Sequence, residues 1–169
     1  MKIRTLILAA ALLLSGAGFA GCSDSDDPSM AAGTPPVTPS QEVKDFFDAH
    51  LSEDQTDLNF SNIEGSDDIS TECFLINTVE QLREIAPEPI ELPDIDFAKY
   101  SLIVGQHVFG SPGYHLESQA IETGADALTL NLVYKRPQGF NAAIMTTHYF
   151  WGLYDKLPEY EVNVNITTF

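Results

Sequence analysis

Apolar positions follow three different rhythms along this chain. Leu6 to Leu14 is an unbroken apolar run, too short to stay across a bilayer as a helix, which needs about 20 apolar residues. Residues 23–40 show no apolar periodicity at all. From Ser40 onward, hydrophobic residues recur at regular intervals. Val43, Phe46, Phe47 and Leu51 keep helical spacing behind an N-cap at Ser40, with Glu42 and Asp45 in the first turn, and predict a short helix at about 40–51. Residues 52–71 are acidic and irregular, and Gly65, Asp67 and Asp68 predict a turn. Glu72 to Asn77 reads as a strand. Thr78, with Gln81 three residues later, is a capping-box pattern that opens a second short helix with Leu82 and Ile85 on its apolar side. Pro87, Pro89 and Pro93 end that helix, because proline lacks the amide it would donate.

After Tyr100 the rhythm shortens to the two-residue period of strands. Ser101 to Gly105 is a β-rich run. Ser111-Pro112-Gly113-Tyr114 predicts a turn in which Pro presets φ and Gly supplies a positive φ. Tyr114 to Ser118 and Leu128 to Tyr134 alternate as half-buried strands do. Residues 144–154 form a long aromatic strand, and Glu161 to Ile166 alternates strictly. These elements predict an α+β domain over residues 41–169, mostly antiparallel β, folded as a curled sheet or small sandwich with one or two short helices.

The N-terminus has the layout of a secretory signal peptide over residues 1–21: Lys2 and Arg4, then the apolar run, then Ser15, Gly16, Ala17 and Gly18. Phe19-Ala20-Gly21-Cys22 resembles the lipobox of bacterial lipoproteins, with Phe19 where that family prefers Leu. The resemblance implies that the Cys22 sulfur carries a diacylglyceryl group and that Cys22 becomes the first mature residue. Ser23-Asp24-Ser25-Asp26-Asp27 resembles the export signal of Bacteroidetes surface lipoproteins, which implies an outer-membrane location, facing outward. Residues 22–40 then read as a lipidated, acidic and Pro-rich tether. Its Thr34-Pro35-Pro36-Val37-Thr38-Pro39 stretch is extended and semi-rigid.

The formal charge of the chain is −17. The leader holds two of the eight basic residues and no acid, so the remainder stands near −19. Such a surface repels phosphate backbones and excludes nucleic-acid binding. It also repels anionic head groups, so the acyl chains rather than the domain hold the membrane. Beyond Cys22 the sole thiol is Cys73, which cannot form an internal disulfide and reads as a buried small hydrophobe.

Candidate chemistry is sparse. His115 and Glu117 sit two apart on a strand and would share a face, and His107 and His148 lie on neighbouring strands. No zinc spacing links them, so no metal site and no cofactor are expected. Asp24, Asp26 and Asp27 lack the glycine and distant glutamate of a calcium loop. No nucleophile elbow occurs, and no catalytic residue is assigned. The aromatic group Tyr114, Tyr149, Trp151 and Tyr154 is the candidate contact surface. Alternation sends Tyr149 and Trp151 to one face and Phe150 to the other. The competing reading is that these rings fill the core.

Over roughly residues 72–169, the chain is similar to the C-terminal domain of the PrcB-like protease-complex subunits. Asp96-Phe97-Ala98-Lys99-Tyr100-Ser101-Leu102-Ile103-Val104-Gly105-Gln106 leads to a turn ending in Gly113-Tyr114, followed by a Leu-rich, an aromatic and an alternating strand. Pro112 stands where that family has the first glycine of its turn. The resemblance implies association with a protease complex. The reading that unites these features is a lipid-anchored, non-enzymatic interaction module of the cell envelope, with a protein partner and a role such as accessory subunit. The alternative is a surface lipoprotein that binds a glycan or another small ligand.

Overall fold

The computed structural model describes residues 30–52, 55–60, 70–139 and 143–169. The segment read as a signal peptide, Cys22, the acidic run at Asp24, Asp26 and Asp27, and the turn expected at 65–68 lie outside the described residues. The elements in order are α1 (Gln41–His50), β1 (Thr71–Ile76), α2 (Val79–Ile85), β2 (Tyr100–Phe109), β3 (His115–Thr123), β4 (Ala127–Lys135), β5 (Thr146–Asp155) and β6 (Glu161–Thr168).

The helices begin where their caps dictate. The Ser40 hydroxyl accepts the Val43 amide at 3.3 Å, and the Leu51 amide closes α1 on the Phe47 carbonyl at 2.7 Å. At α2 the Gln81 amide donates to the Thr78 hydroxyl at 3.2 Å. The Gln81 side chain reaches back to the Asn77 amide at 2.6 Å, one residue earlier than a standard capping box.

Six strands form two three-stranded sheets, β1-β2-β5 and β3-β4-β6. The domain is therefore mixed but mostly antiparallel β with two helices, and neither sheet closes on itself. β2 is buried along nearly its whole length because both of its faces are covered. Leu102 and Val104 face the helices and pack with Val43, Phe46, Phe47, Leu82 and Ile85. Ile103 and Phe109 face the second sheet and pack with Leu128, Leu130, Leu132 and Tyr134. The result is three layers: helices, first sheet, second sheet.

Three details differ from the sequence expectation. First, β6 pairs parallel to β4, with Ala127 opposite Glu161 and Tyr134 opposite Thr168. The intervening β5 belongs to the other sheet. The short crossing after Asp155, with Leu157 buried between the sheets, delivers the chain beside the start of β4, so β6 must run in the same direction. Second, β3 carries a register shift between Leu116 and Ser118, opposite Tyr134 and Val133. Glu117 is the extra residue of that bulge, so the alternation expected to place His115 and Glu117 on one face is broken there.

Third, the stretch expected to be tether up to residue 40 is part of the domain from Ala31. Thr34 exchanges backbone hydrogen bonds with Ile121 at 2.9 and 2.8 Å, and the Val37 amide donates to the Leu153 carbonyl at 2.7 Å. The Ala31 amide donates to the Ser118 hydroxyl at 2.8 Å, and the Asn131 side chain donates to the Ala32 carbonyl at 2.9 Å. β3 and β5 are edge strands, one in each sheet, and their outward backbone groups need partners. This arm supplies them and straps the sheets together. Gly33 makes the approach possible: its φ is +113°, and a Cβ there would meet the Ile121 carbonyl oxygen at 2.6 Å.

Candidate functional site

The arm creates a cleft. Pro36 to Pro39 form one wall, the solvent face of α1 another, and β5 the floor. The cleft has a volume of about 420 Å³ and reaches Lys44, Asp48, Gln119, Trp151, Gly152 and Leu153, a size suited to a small organic ligand.

Each lining residue has a local reason to be there. Val43, Phe46 and Phe47 turn one side of α1 to the core, which leaves Lys44 and Asp48 outward as an i,i+4 ion pair. The Asp48 carboxylate holds the Lys44 ammonium above its usual pKa. Phe47 is fully buried and stacks on the Trp151 indole, with centroids 4.2 Å apart and planes 20° from parallel. That contact fixes the indole beneath the cleft while leaving the residue half-exposed.

Gln119 and Gly152 form the inner corner. The Gln119 amide donates to the Trp151 carbonyl at 2.5 Å, while its own carbonyl oxygen is buried without a partner among the described residues. A Cβ on Gly152 would meet the Gln119 side-chain nitrogen at 2.6 Å and Pro36 at 3.3 Å. Glycine at this position lets arm, amide and strand come close together. The cleft thus joins an apolar floor, a fixed amide and a charge pair at its mouth. It offers van der Waals contact, hydrogen bonding and a charge pair to a bound group.

Of the four aromatic residues expected to share a contact surface, only Trp151 lines this cleft. Tyr149 shares its face but lies farther along, 5.5 Å from the Phe60 ring. Tyr114 is half-buried and stacks on Phe109 at 4.0 Å, toward the other end of the strands. Tyr154 is buried between the sheets, and burial raises its phenol pKa, so it is core rather than surface. Alternation did place Tyr149 and Trp151 opposite Phe150. It missed Tyr154 because its own face of β5 is covered by the second sheet. Sequence reasoning also missed Gln119, Gly152 and the Pro36 wall. The glycine inside an aromatic strand was the one available signal of a close approach.

The histidines separate into two environments. His107 and His148 are cross-strand neighbours, both buried beside Phe109. The His107 Nδ1 lies 2.7 Å from the Thr71 hydroxyl, and burial, reinforced by His148, pushes its pKa down to about 4. His115 is exposed on β3. Among the described residues no three or more His, Cys, Asp or Glu side chains gather as a metal site. Burial pushes the Cys73 thiol up to about 12, which removes its nucleophilic form at neutral pH. Compared with known proteins, the chain matches no family model, no curated protein and no solved structure.

Proposed function

We propose that this chain is a lipid-anchored, non-enzymatic binding module of a bacterial cell envelope, and that its cleft beside Trp151 takes a small ligand with apolar and hydroxyl faces, such as a glycan. The observation that carries this reading is the junction of Trp151, Gln119 and Gly152 under the Pro36–Pro39 wall. An indole next to a fixed amide suits a sugar ring, which has one apolar face and hydroxyls on its rim. The lipobox-like Phe19 to Cys22 supports the anchor, and the raised thiol pKa of half-buried Cys73 and the neutral state of buried His107 speak against nucleophilic or acid–base work by these two groups.

Trp151 is the only tryptophan, so its emission reports on the cleft without labelling. Titration with a panel of envelope and extracellular polysaccharides should give a saturable change with at least one member. A flat response across the panel, or an equal response from Gln119→Leu, would remove this reading.

A second reading, an accessory subunit in a protein complex, follows from the PrcB-like resemblance and has one observation in its favour. β6 ends its sheet, and among the described residues no strand pairs with its outer edge. Such an edge accepts an extended partner segment by backbone pairing. Crosslinking from positions 163 and 165 in intact cells should then capture a single partner, and no adduct above background would end this alternative.

A further inference from the structure

The geometry points to a bilayer-contacting tip at the end of the domain from which the tether leaves. This inference rests on the anchored reading above. Seven large apolar side chains are exposed among the described residues, and five of them, Met30, Leu116, Ile144, Met145 and Phe169, belong to that end; Val79 and Tyr160 are the others.

Strand register shows why they converge. Leu116 pairs with Tyr134 near the start of β3 and the end of β4. The Tyr134 carbonyl accepts the Phe169 amide at 3.2 Å, and the Phe169 carbonyl accepts the Arg136 amide at 2.9 Å. Ile144 and Met145 immediately precede Thr146, which pairs with Phe109 at the same end of the first sheet. Ala31 is bonded to Ser118, only two residues beyond Leu116, so Met30 leaves the domain beside them. Tyr160 lies at the opposite end, where β5 crosses to β6.

A basic pair stands among these apolar side chains. No acidic residue occurs between Asp126 and Asp155, whereas Lys135 and Arg136 do, both exposed. Glu117, in the β3 bulge, and Glu72, near the start of β1, are acids on the strands at this end, and Asp24, Asp26 and Asp27 precede Met30 in the chain. The strands at this end therefore present exposed apolar side chains with Lys135 and Arg136 beside them. That composition inserts shallowly at a head-group boundary.

Chain length chooses the occupant. Seven residues lie between Cys22 and Met30, and the eight Cα steps span at most about 29 Å when extended. An acylated Cys22 therefore keeps this end within reach of the lipid surface. The anchor raises the local lipid concentration, so a weak apolar contact is enough to orient the domain. With this end down, the remainder of the domain is turned toward solvent.

The test uses the full chain, acylated in cells and reconstituted into phosphatidylethanolamine–phosphatidylglycerol vesicles. An environment-sensitive nitrobenzoxadiazole label is placed at Ile144→Cys, with Tyr160→Cys as the control. The label at 144 should shift to the blue and be quenched several-fold by lipids brominated near the head group, while the label at 160 stays water-like. Equal, aqueous emission from both positions overturns the tip. Vesicle flotation reports the anchor separately: a chain that floats with an aqueous label at 144 retains the anchor reading and loses this one. If the chain does not float, the Cys22→Ser form titrated with the same vesicles decides the tip alone. A blue shift at 144 upheld by excess lipid supports it, and no shift at any lipid concentration overturns it. A shift produced by envelope protein extract but not by vesicles assigns the tip to a protein partner and also overturns the lipid assignment.

Discussion

The Phe150 ring lies directly over Gly105, its cross-strand partner in the first sheet. A Cβ on Gly105 would overlap that ring and come within 2.5 Å of the Glu72 carbonyl oxygen. The empty glycine face is thus the seat of an aromatic side chain that fills the layer between the sheets. Gly105→Ala should destabilise the fold by about 2–3 kcal/mol through overpacking. Phe150→Ala should cost about 3–5 kcal/mol by leaving a cavity. Urea denaturation of both single variants and the double variant checks this. The double variant should lose less than the sum of the two, since the residues share one space.

The arm should behave as part of the fold rather than as a tether. Gly33→Ala combines a positive φ with a backbone clash at Ile121 and should cost about 1–3 kcal/mol. Its signature is local: faster proteolytic cutting between residues 30 and 38, and a red shift of Trp151 emission as the cleft wall lifts. Unchanged cleavage would show that the strap is dispensable.

Buried His107 predicts an acid-side loss of stability. Its folded pKa is about 4, against about 6.5 in an unfolded chain. Between those values the unfolded chain binds the proton and the native state does not. Stability is therefore full above about pH 6.5, falls as the pH drops toward 4, and levels off below that. His107 contributes no more than about 3 kcal/mol to the fall. Carboxylates also titrate in this range, so the measurement is the difference between the wild type and His107→Gln, whose curve should be flatter between pH 4 and 6.5.

Cys73 should be chemically silent in the native protein. With its thiol pushed up to about 12, the thiolate fraction at pH 8 is about a thousandfold below that of an ordinary cysteine. Reaction with a disulfide reagent should be correspondingly slow in buffer and should recover its normal rate in urea. Rapid native labelling would contradict the raised thiol pKa.

What local physics dictates was legible along the chain. Ser40 and Thr78 mark the helix starts because a cap hydroxyl meets an amide three residues away. Period-two alternation sorted Trp151 from Phe150 because pleating decides it within the strand. The strict alternation of Glu161 to Ile166 likewise became β6, with one side toward the core.

Parity says which side chains share a face, but not what covers that face, and there the tertiary structure decided. Tyr154 is core because a second sheet lies over it, and β6 is parallel to β4 because the chain changes sheets before it forms. Residues 31–39 carry no periodicity, so nothing local distinguishes an arm that fills two open sheet edges from a tether in water. Their hydrogen-bond partners, Ser118, Ile121 and Leu153, lie more than eighty residues away. The cleft at Trp151 exists only where that arm, α1 and β5 meet. Helix caps and strand faces are set by neighbours in sequence, whereas edges, layers and clefts are set by which distant segment satisfies an open backbone or an exposed apolar face.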